Sequence, residues 1–188
     1  MKNIAIFASG DGSNAQNIID FFKSSYSGVE VRLIISNNPM ANVLNRAKKA
    51  GIPSLIVDRN TFYNSSQTAE RLMAENIDLI VLAGFLWKVP ENLIKSFPDK
   101  IINIHPALLP KFGGKGMFGM NVHKAVVEAK EKQSGISIHF VNEDYDEGRL
   151  ISQHTCEIAE SDTPEIVAGK IHQLEMDYFP KAIFDLLN

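Results

Sequence analysis

A chain of 188 residues, 45% of them hydrophobic, is long enough to bury a sizeable core. Its formal net charge of −3, with no Lys/Arg-rich run, argues against a nucleic-acid partner, because phosphate backbones are held by clustered basic side chains. No apolar run approaches the roughly 20 residues of a membrane span. Cys156 is the only cysteine, which excludes an internal disulfide and fits a reducing, cytoplasmic compartment.

The opening MKNIAIFASGDG has a short apolar stretch that runs straight into a glycine turn, so it reads as a first strand and not as a secretion signal. Helical patterns follow at residues 15–22 and 42–50, and further short apolar runs at 31–35, 55–57, 79–83 and 101–104 read as strands. Strands apolar on both faces, alternating with helices, predict a doubly wound, mostly parallel α/β sheet with helices on both faces. After Pro106 come a glycine-rich segment at 111–123, a helix at 122–130, and two strands at 136–141 and 150–157. The acidic loop 142–148 joins these strands, as in an antiparallel C-terminal pair. Thr163-Pro164-Glu165 opens the last helix, with a hydroxyl at the N-cap and proline at the first helical position. No repeat or linker interrupts the pattern, so residues 1–188 are expected to form one unit.

Three groups of residues stand out for their chemistry. The first is Ser9-Gly10-Asp11-Gly12-Ser13-Asn14, between a strand and a helix, where uncommitted backbone N–H groups and the helix dipole suit a phosphate. A plain tight turn explains the two glycines equally well, and Asp11 fits a phosphate only if its carboxylate points away. The second is Asn103-Ile104-His105-Pro106: residues two apart on a strand share a face, and ligands of open parallel sheets bind beyond the strands' carboxyl ends. An amide and an imidazole in an apolar strand cost a few kcal/mol unless they find partners. The third is the loop with Asp144, Asp146 and Glu147, read either as a solvated acidic turn or as the source of a carboxylate that orients a histidine and raises its pKa. His139 reads as a hydrogen-bonded core residue, His123 as a cap neighbour or loop-site residue, and His154 as a strand surface position. Trp87 reads as packing, at a place where an aromatic ligand would enter. Cys156 and the histidines show no zinc-ligand spacing, so no metal is expected.

The segments Ser9 to Asn14, Leu82-Ala83-Gly84-Phe85, Asn103-Ile104-His105-Pro106-Ala107-Leu108-Leu109-Pro110-Lys111, and His139-Phe140-Val141 followed by Asp146 resemble the folate-dependent formyltransferases, in family order and over the whole chain. The Ser-Gly-x-Gly-Ser-Asn loop is similar to that of the members that formylate glycinamide ribonucleotide. The resemblance implies a formyl transfer from 10-formyltetrahydrofolate to the amine of glycinamide ribonucleotide in purine biosynthesis. It implies a catalytic trio of Asn103, His105 and Asp146, phosphate binding by Gly12, Ser13 and Asn14, and further substrate contacts at Gly84, Pro106 and Glu175. The folate pocket would comprise Leu86, Trp87, Lys88, Val89, Asn103 and Val141. On this reading residues from about 1 to 100 carry the phosphate site and those from about 101 to 188 the catalytic and folate sites. A cis peptide is expected before Pro110.

The chain departs from the family pattern at several points. No arginine in residues 63–66 matches the family's folate-contacting one, Trp87 replaces a basic or polar residue, and His172 replaces a longer polar side chain. Segment 111–123 is longer and suggests a lid. Glu147 and Arg149 stand where glycine and proline are usual. The expected chemistry is attack of a neutral amine on a formyl group, with Asn103 and His105 donating to the oxyanion, Asp146 favouring the protonated imidazole, and no metal. Monomer and homodimer both stay open. A transfer RNA formyltransferase, a formyltetrahydrofolate hydrolase, a sugar-nucleotide formyltransferase and a non-enzymatic phosphate-binding module are the alternatives. The first two lack a use for either the short chain or the Ser-Gly-x-Gly-Ser-Asn loop, and the last leaves Asn103, His105 and Asp146 without a role.

Overall fold

The computed structural model describes residues 1–24 and 28–188. In chain order these form β1 (Lys2–Phe7), α1 (Ser13–Ser24), β2 (Val29–Ser36), α2 (Asn42–Ala50), β3 (Ser54–Ile56), α3 (Arg59–Asn64), α4 (Gln67–Ala74), β4 (Leu79–Leu82), α5 (Glu91–Ser96), β5 (Ile101–His105), α6 (Met120–Glu128), β6 (Gln133–Phe140), β7 (Leu150–Glu157) and α7 (Pro164–Leu187). The strands join in one sheet in the order β3-β2-β1-β4-β5-β6-β7. Pairs from β3 to β5 are parallel, while β5-β6 and β6-β7 are antiparallel. The chain winds outward from β1 to β3 and then returns to β4 on the other side of β1. That reversal opens a crevice at the carboxyl ends of β1 and β4.

Side chains of each central strand alternate between two cores. Ile4, Ile6 and Ala8 face one way with residues of α1, α2, α6 and α7, while Ala5 and Phe7 face the other with Phe62, Leu72 and Leu93 of α3, α4 and α5. Ile4 and Ile6 are wholly buried, each stabilising the fold by about 1.5–3 kcal/mol before entropy is counted. Burial on both faces is why the strand sequences are continuously apolar and not alternating.

The helices end where their sequences provide the means. α2 puts Val43 and Ala47, four apart, on the core and stops at Gly51, whose φ of 72° lets its N–H bond the Lys48 carbonyl. α7 starts with the Thr163 hydroxyl accepting from the Ile166 N–H at 3.4 Å, and Pro164 follows at the first position, as expected. Pro180 lies inside α7 and has no N–H for the Met176 carbonyl. That carbonyl accepts instead from Asn17 Nδ2 at 2.8 Å, which ties α1 to α7.

Helices α3, α4 and α5 are not foreseen by the sequence reading. They have six, eight and six residues, too short to show a full 3.6-residue period. A capping box between Asp58 and Thr61 starts α3. His154 is not a free surface position: its ring stacks on Tyr178 of α7 with centroids 3.6 Å apart. The Leu109-Pro110 peptide is cis, as expected.

Candidate functional site

The crevice opens into a cavity of about 810 Å³ lined by every residue that the sequence reading assigns to a site. Gly12, Ser13, Asn14 and Glu175 form one end, Leu86 to Val89 and Val141 the other, and Asn103, His105, Pro106 and Asp146 lie between them.

At the first end, the Gln16 N–H reaches back to the Gly12 carbonyl at 2.9 Å. The N–H groups of Ser13, Asn14 and Ala15 therefore precede the first turn and are the helix's orphan donors. Gly12 has a φ of 78°, and a Cβ there would lie 2.6 Å from Val43. Only glycine lets the loop lie so close to α2. Asp11 turns outward, to Arg46 at 2.6 Å and Asn42 at 2.9 Å. Those hydrogen bonds, Asn42 foremost, hold its carboxyl below the usual range, so its charge is spent on α2. Asn14 Nδ2 donates to Glu175 Oε2 at 2.9 Å, and His172 Nδ1 lies 3.5 Å from the same oxygen. Burial pushes the Glu175 carboxyl up. The buried Ser9 hydroxyl accepts from the Leu86 N–H at 2.9 Å, and the Ser9 N–H bonds the Gly84 carbonyl at 3.0 Å. Ser9 thus ties the loops after β1 and β4 together.

In the centre, Asn103 and His105 share one face of β5, opposite to Ile102 and Ile104. Asn103 Nδ2 lies 3.1 Å from His139 Nε2, and His139 Nδ1 lies 2.9 Å from the Phe140 carbonyl. With the Nδ1 proton given to that carbonyl, Nε2 is left as the acceptor, which fixes the Asn103 amide and leaves its second N–H for the cavity. His105 Nε2 donates to the Phe112 carbonyl at 2.8 Å, while Nδ1 faces Asp146 Oδ2 at 3.5 Å. Asp146 also accepts from the Gly114 N–H at 2.9 Å and lies 3.7 Å from His139 Nε2.

Electrostatics qualify one expectation from the sequence. Burial lowers the His105 pKa by more than Asp146 raises it, so the resting ring is mainly neutral near pH 7. The sequence shows the carboxylate but not that His105 is only 3% exposed. Burial alone would raise Asp146; the His139 and His105 rings, in so far as they take up a proton, and the Gly114 N–H outweigh this and hold the carboxyl below the usual range.

At the far end, Trp87 packs against Phe62, Tyr63 and Phe85 with ring centroids 5.7, 5.9 and 6.3 Å away. Tyr63 Oη donates to the Lys88 carbonyl at 3.1 Å, and Lys88 Nζ sits 5.2 Å from the Tyr145 ring centroid. The Arg59 guanidinium is 5.3 Å from the Trp87 centroid. Arg59 precedes the segment in which the sequence reading looks for an arginine, and only the turn of α3 brings it there. The loop that carries Asp146 closes over Gly148, where a Cβ would lie 1.6 Å from the Phe140 carbonyl. Arg149 takes the place beside it by stacking on the Phe140 ring at 4.3 Å.

Two residues of the site, His139 and Lys115, escape the sequence reading in this role, while His123 falls on its loop-site alternative. His139 orients Asn103. His123 lies buried in the cavity wall, where burial lowers its pKa. Lys115 reaches the cavity from the glycine-rich segment. The antiparallel pairing of Asn103 with His139, which brings the latter into place, is fixed only by the folded sheet. Among the described residues no group of three or more His, Cys, Asp or Glu side chains is placed to hold a metal ion, and no helix is long and apolar enough to cross a membrane.

Comparison with known proteins matches residues 2–183 to the formyl transferase family model. The phosphoribosylglycinamide formyltransferase of Bacillus subtilis is 36% identical over 191 residues, covering all of this chain and 95% of that protein. The chloroplastic phosphoribosylglycinamide formyltransferase of Arabidopsis thaliana is 38% identical over 175 residues, and the chain spans 60% of its length. It spans 14% of the trifunctional purine biosynthetic protein adenosine-3 of Drosophila melanogaster, at 37% identity. The crystal structure of phosphoribosylglycinamide formyltransferase from Bacillus halodurans superposes with a TM-score of 0.89 at 35% identity, over 100% of this chain and 96% of that one.

Proposed function

This chain belongs to the formyl transferase family, and from that premise we propose that it transfers the formyl group of 10-formyltetrahydrofolate to the amine of glycinamide ribonucleotide. The observation that carries this reading is the convergence of three features on one cavity. These are the orphan N–H groups of α1, the Asn103-His105-Asp146 cluster and the aromatic wall around Trp87. A phosphate fits the first, because the loop offers donors and turns its one carboxylate away. A flat pterin with its aminobenzoyl ring fits the slot between Trp87, Val89 and Val141. Arg59 and Lys88 at the rim supply cations for the folate carboxylates, in place of the arginine missing from residues 63–66.

The amine lone pair forms the new C–N bond as the formyl C=O pair moves onto oxygen. The free N–H of Asn103 donates to that oxyanion, and in a water-poor cleft one such donor contributes roughly 2.7–4 kcal/mol. Since His105 Nε2–H is engaged by Phe112, the ring acts through its Nδ1. It takes up the proton of the attacking amine, becomes cationic beside Asp146, and thereby lowers the energy of the oxyanion. Collapse re-forms the C=O bond and breaks the bond to folate nitrogen, whose pair takes the proton back from His105.

The test is a spectrophotometric assay of 10-formyltetrahydrofolate consumption with and without glycinamide ribonucleotide. Consumption that requires the ribonucleotide is the expected result; consumption without it identifies a hydrolase, and none at all overturns the reading. Asn103→Ala is expected to lower kcat about 10²–10³-fold with the fold intact, and His105→Ala by at least as much.

A further inference from the structure

We infer that Lys115 is a specificity-determining residue that binds the phosphate of the ribonucleotide from across the cavity, opposite the N-terminus of α1. This rests on the ribonucleotide reading above and adds to it a contact that no loop glycine can supply.

A phosphate ester carries close to −2 at neutral pH, and a helix N-terminus offers the equivalent of about half a positive charge. The same end of the cavity also holds the carboxylate of Glu175. The side chains lining that end, those of residues 10–14 with Ala168, Ile171, His172 and Glu175, include no lysine or arginine, and Lys170 of the same helix is held by Asp162 and the Glu157 carbonyl. Arg46, which reaches the loop from α2, is committed to Asp11. Of the lysines and arginines in the cavity wall, Lys88 stands over Tyr145 at the aromatic end, which leaves Lys115.

The fold decides which end Lys115 serves. Segment 113–119 leads into α6, and Met117, two residues on, packs into the core shared with α1 and α7. The aromatic slot belongs to the opposite core, with Phe85, Trp87, Val89 and Val141. Met117 thus seats the C-terminal end of the turn on the side of the sheet that carries α1 and its N-terminus, within reach of the phosphate loop for the side chain of Lys115.

Local backbone supports the same role. The Met117 N–H bonds the Gly114 carbonyl at 3.1 Å, and Gly116 has a φ of 89°. That is a type II turn with Lys115 at its first corner and glycine at the second, as the turn requires. The corner residue projects from the chain, and Lys115 is exposed with no hydrogen bond or ion pair among the described residues. One end of the turn is anchored, because the Gly114 N–H donates to Asp146. The lysine is thus held on a short leash beside the reacting centre, and its long side chain spans the rest.

The experiment compares wild type with Lys115→Ala and Lys115→Arg in steady-state assays that vary each substrate separately. The expected result for Lys115→Ala is a rise of ten-fold or more in KM for glycinamide ribonucleotide, with a much smaller change in kcat and in KM for formyl folate. Lys115→Arg should recover most of the loss. Ribose 5-phosphate, as a competitive probe, should lose affinity for Lys115→Ala by a similar factor, whereas ribose should bind both proteins alike. A rise confined to the KM for formyl folate would place Lys115 on the folate carboxylates and overturn the inference, as would unchanged constants. Calorimetric titration with ribose 5-phosphate reads the contact without turnover, so a wild type that binds it but fails to transfer would sink the proposed function and spare this one.

Discussion

At the scale of single residues, His105 and Asp146 set the pH behaviour. Burial holds the imidazole below its ordinary value of about 6.5, and the proposed mechanism uses the neutral ring as proton acceptor. The rate should therefore fall on the acid side, with a limb in kcat/KM below pH 6.5. Asp146 is the charge that opposes burial, so in Asp146→Asn the residual activity should show this limb at still lower pH. An NMR titration of the His105 ring, wild type against variant, reads the same shift directly. A limb that stays in place would show that the carboxylate does not govern the ring. The pairing of Asn103 and His105 on one strand face was legible in the sequence, because side chains of a strand alternate with a period of two. The direction of each hydrogen bond was not, since Phe112 and His139 reach the trio from other parts of the chain.

At the scale of elements, the loop between β1 and α1 is built around close approach. Gly12 combines a positive φ with backbone against Val43, so Gly12→Ala faces both a left-handed penalty and a clash, together about 2–4 kcal/mol. We expect a lower denaturation midpoint and, because the orphan N–H groups shift, a KM for the ribonucleotide raised ten-fold or more. A stable variant with unaltered KM would mean that the loop does not hold the phosphate. Long elements were legible because their patterns repeat: α2 falls on the residues expected for it, and the capping residues of α7 stand where its first turn begins. The short helices α3 to α5 were not, yet they carry the aromatic wall, since Phe62 and Tyr63 lie on α3. Arg59 is legible as a neighbour of Trp87 only once that helix is known.

At the scale of the whole molecule, the site is also a source of acid sensitivity. His105, His123 and His154 all have pKa values lowered mainly by burial. Below about pH 6.5 the unfolded chain binds protons that the native protein resists, so stability must fall as the pH drops through that value. Glu175 works the other way, because its raised carboxyl takes up a proton in the native state before the unfolded one does. His154 is the most open of the three, which leaves His105 and His123 as the main contributors. Denaturant unfolding at pH 7.5 and 5.5 should show a lower midpoint at the acid value, and His123→Gln should reduce the difference; equal midpoints in the wild type would contradict this. The sequence by itself determined the mostly parallel α/β class, the span of α2 and the start of α7, and the placing of Asn103 and His105 on one strand face, because periodicity and turn chemistry are local; the other site residues were legible through the family resemblance of their motifs. The tertiary structure alone decided the burial that lowers the His105 pKa, the outward turn of Asp11, the approach of Arg59 to Trp87 and the entry of Lys115 into the cavity wall. Those depend on burial and on partners distant along the chain, which no local pattern encodes.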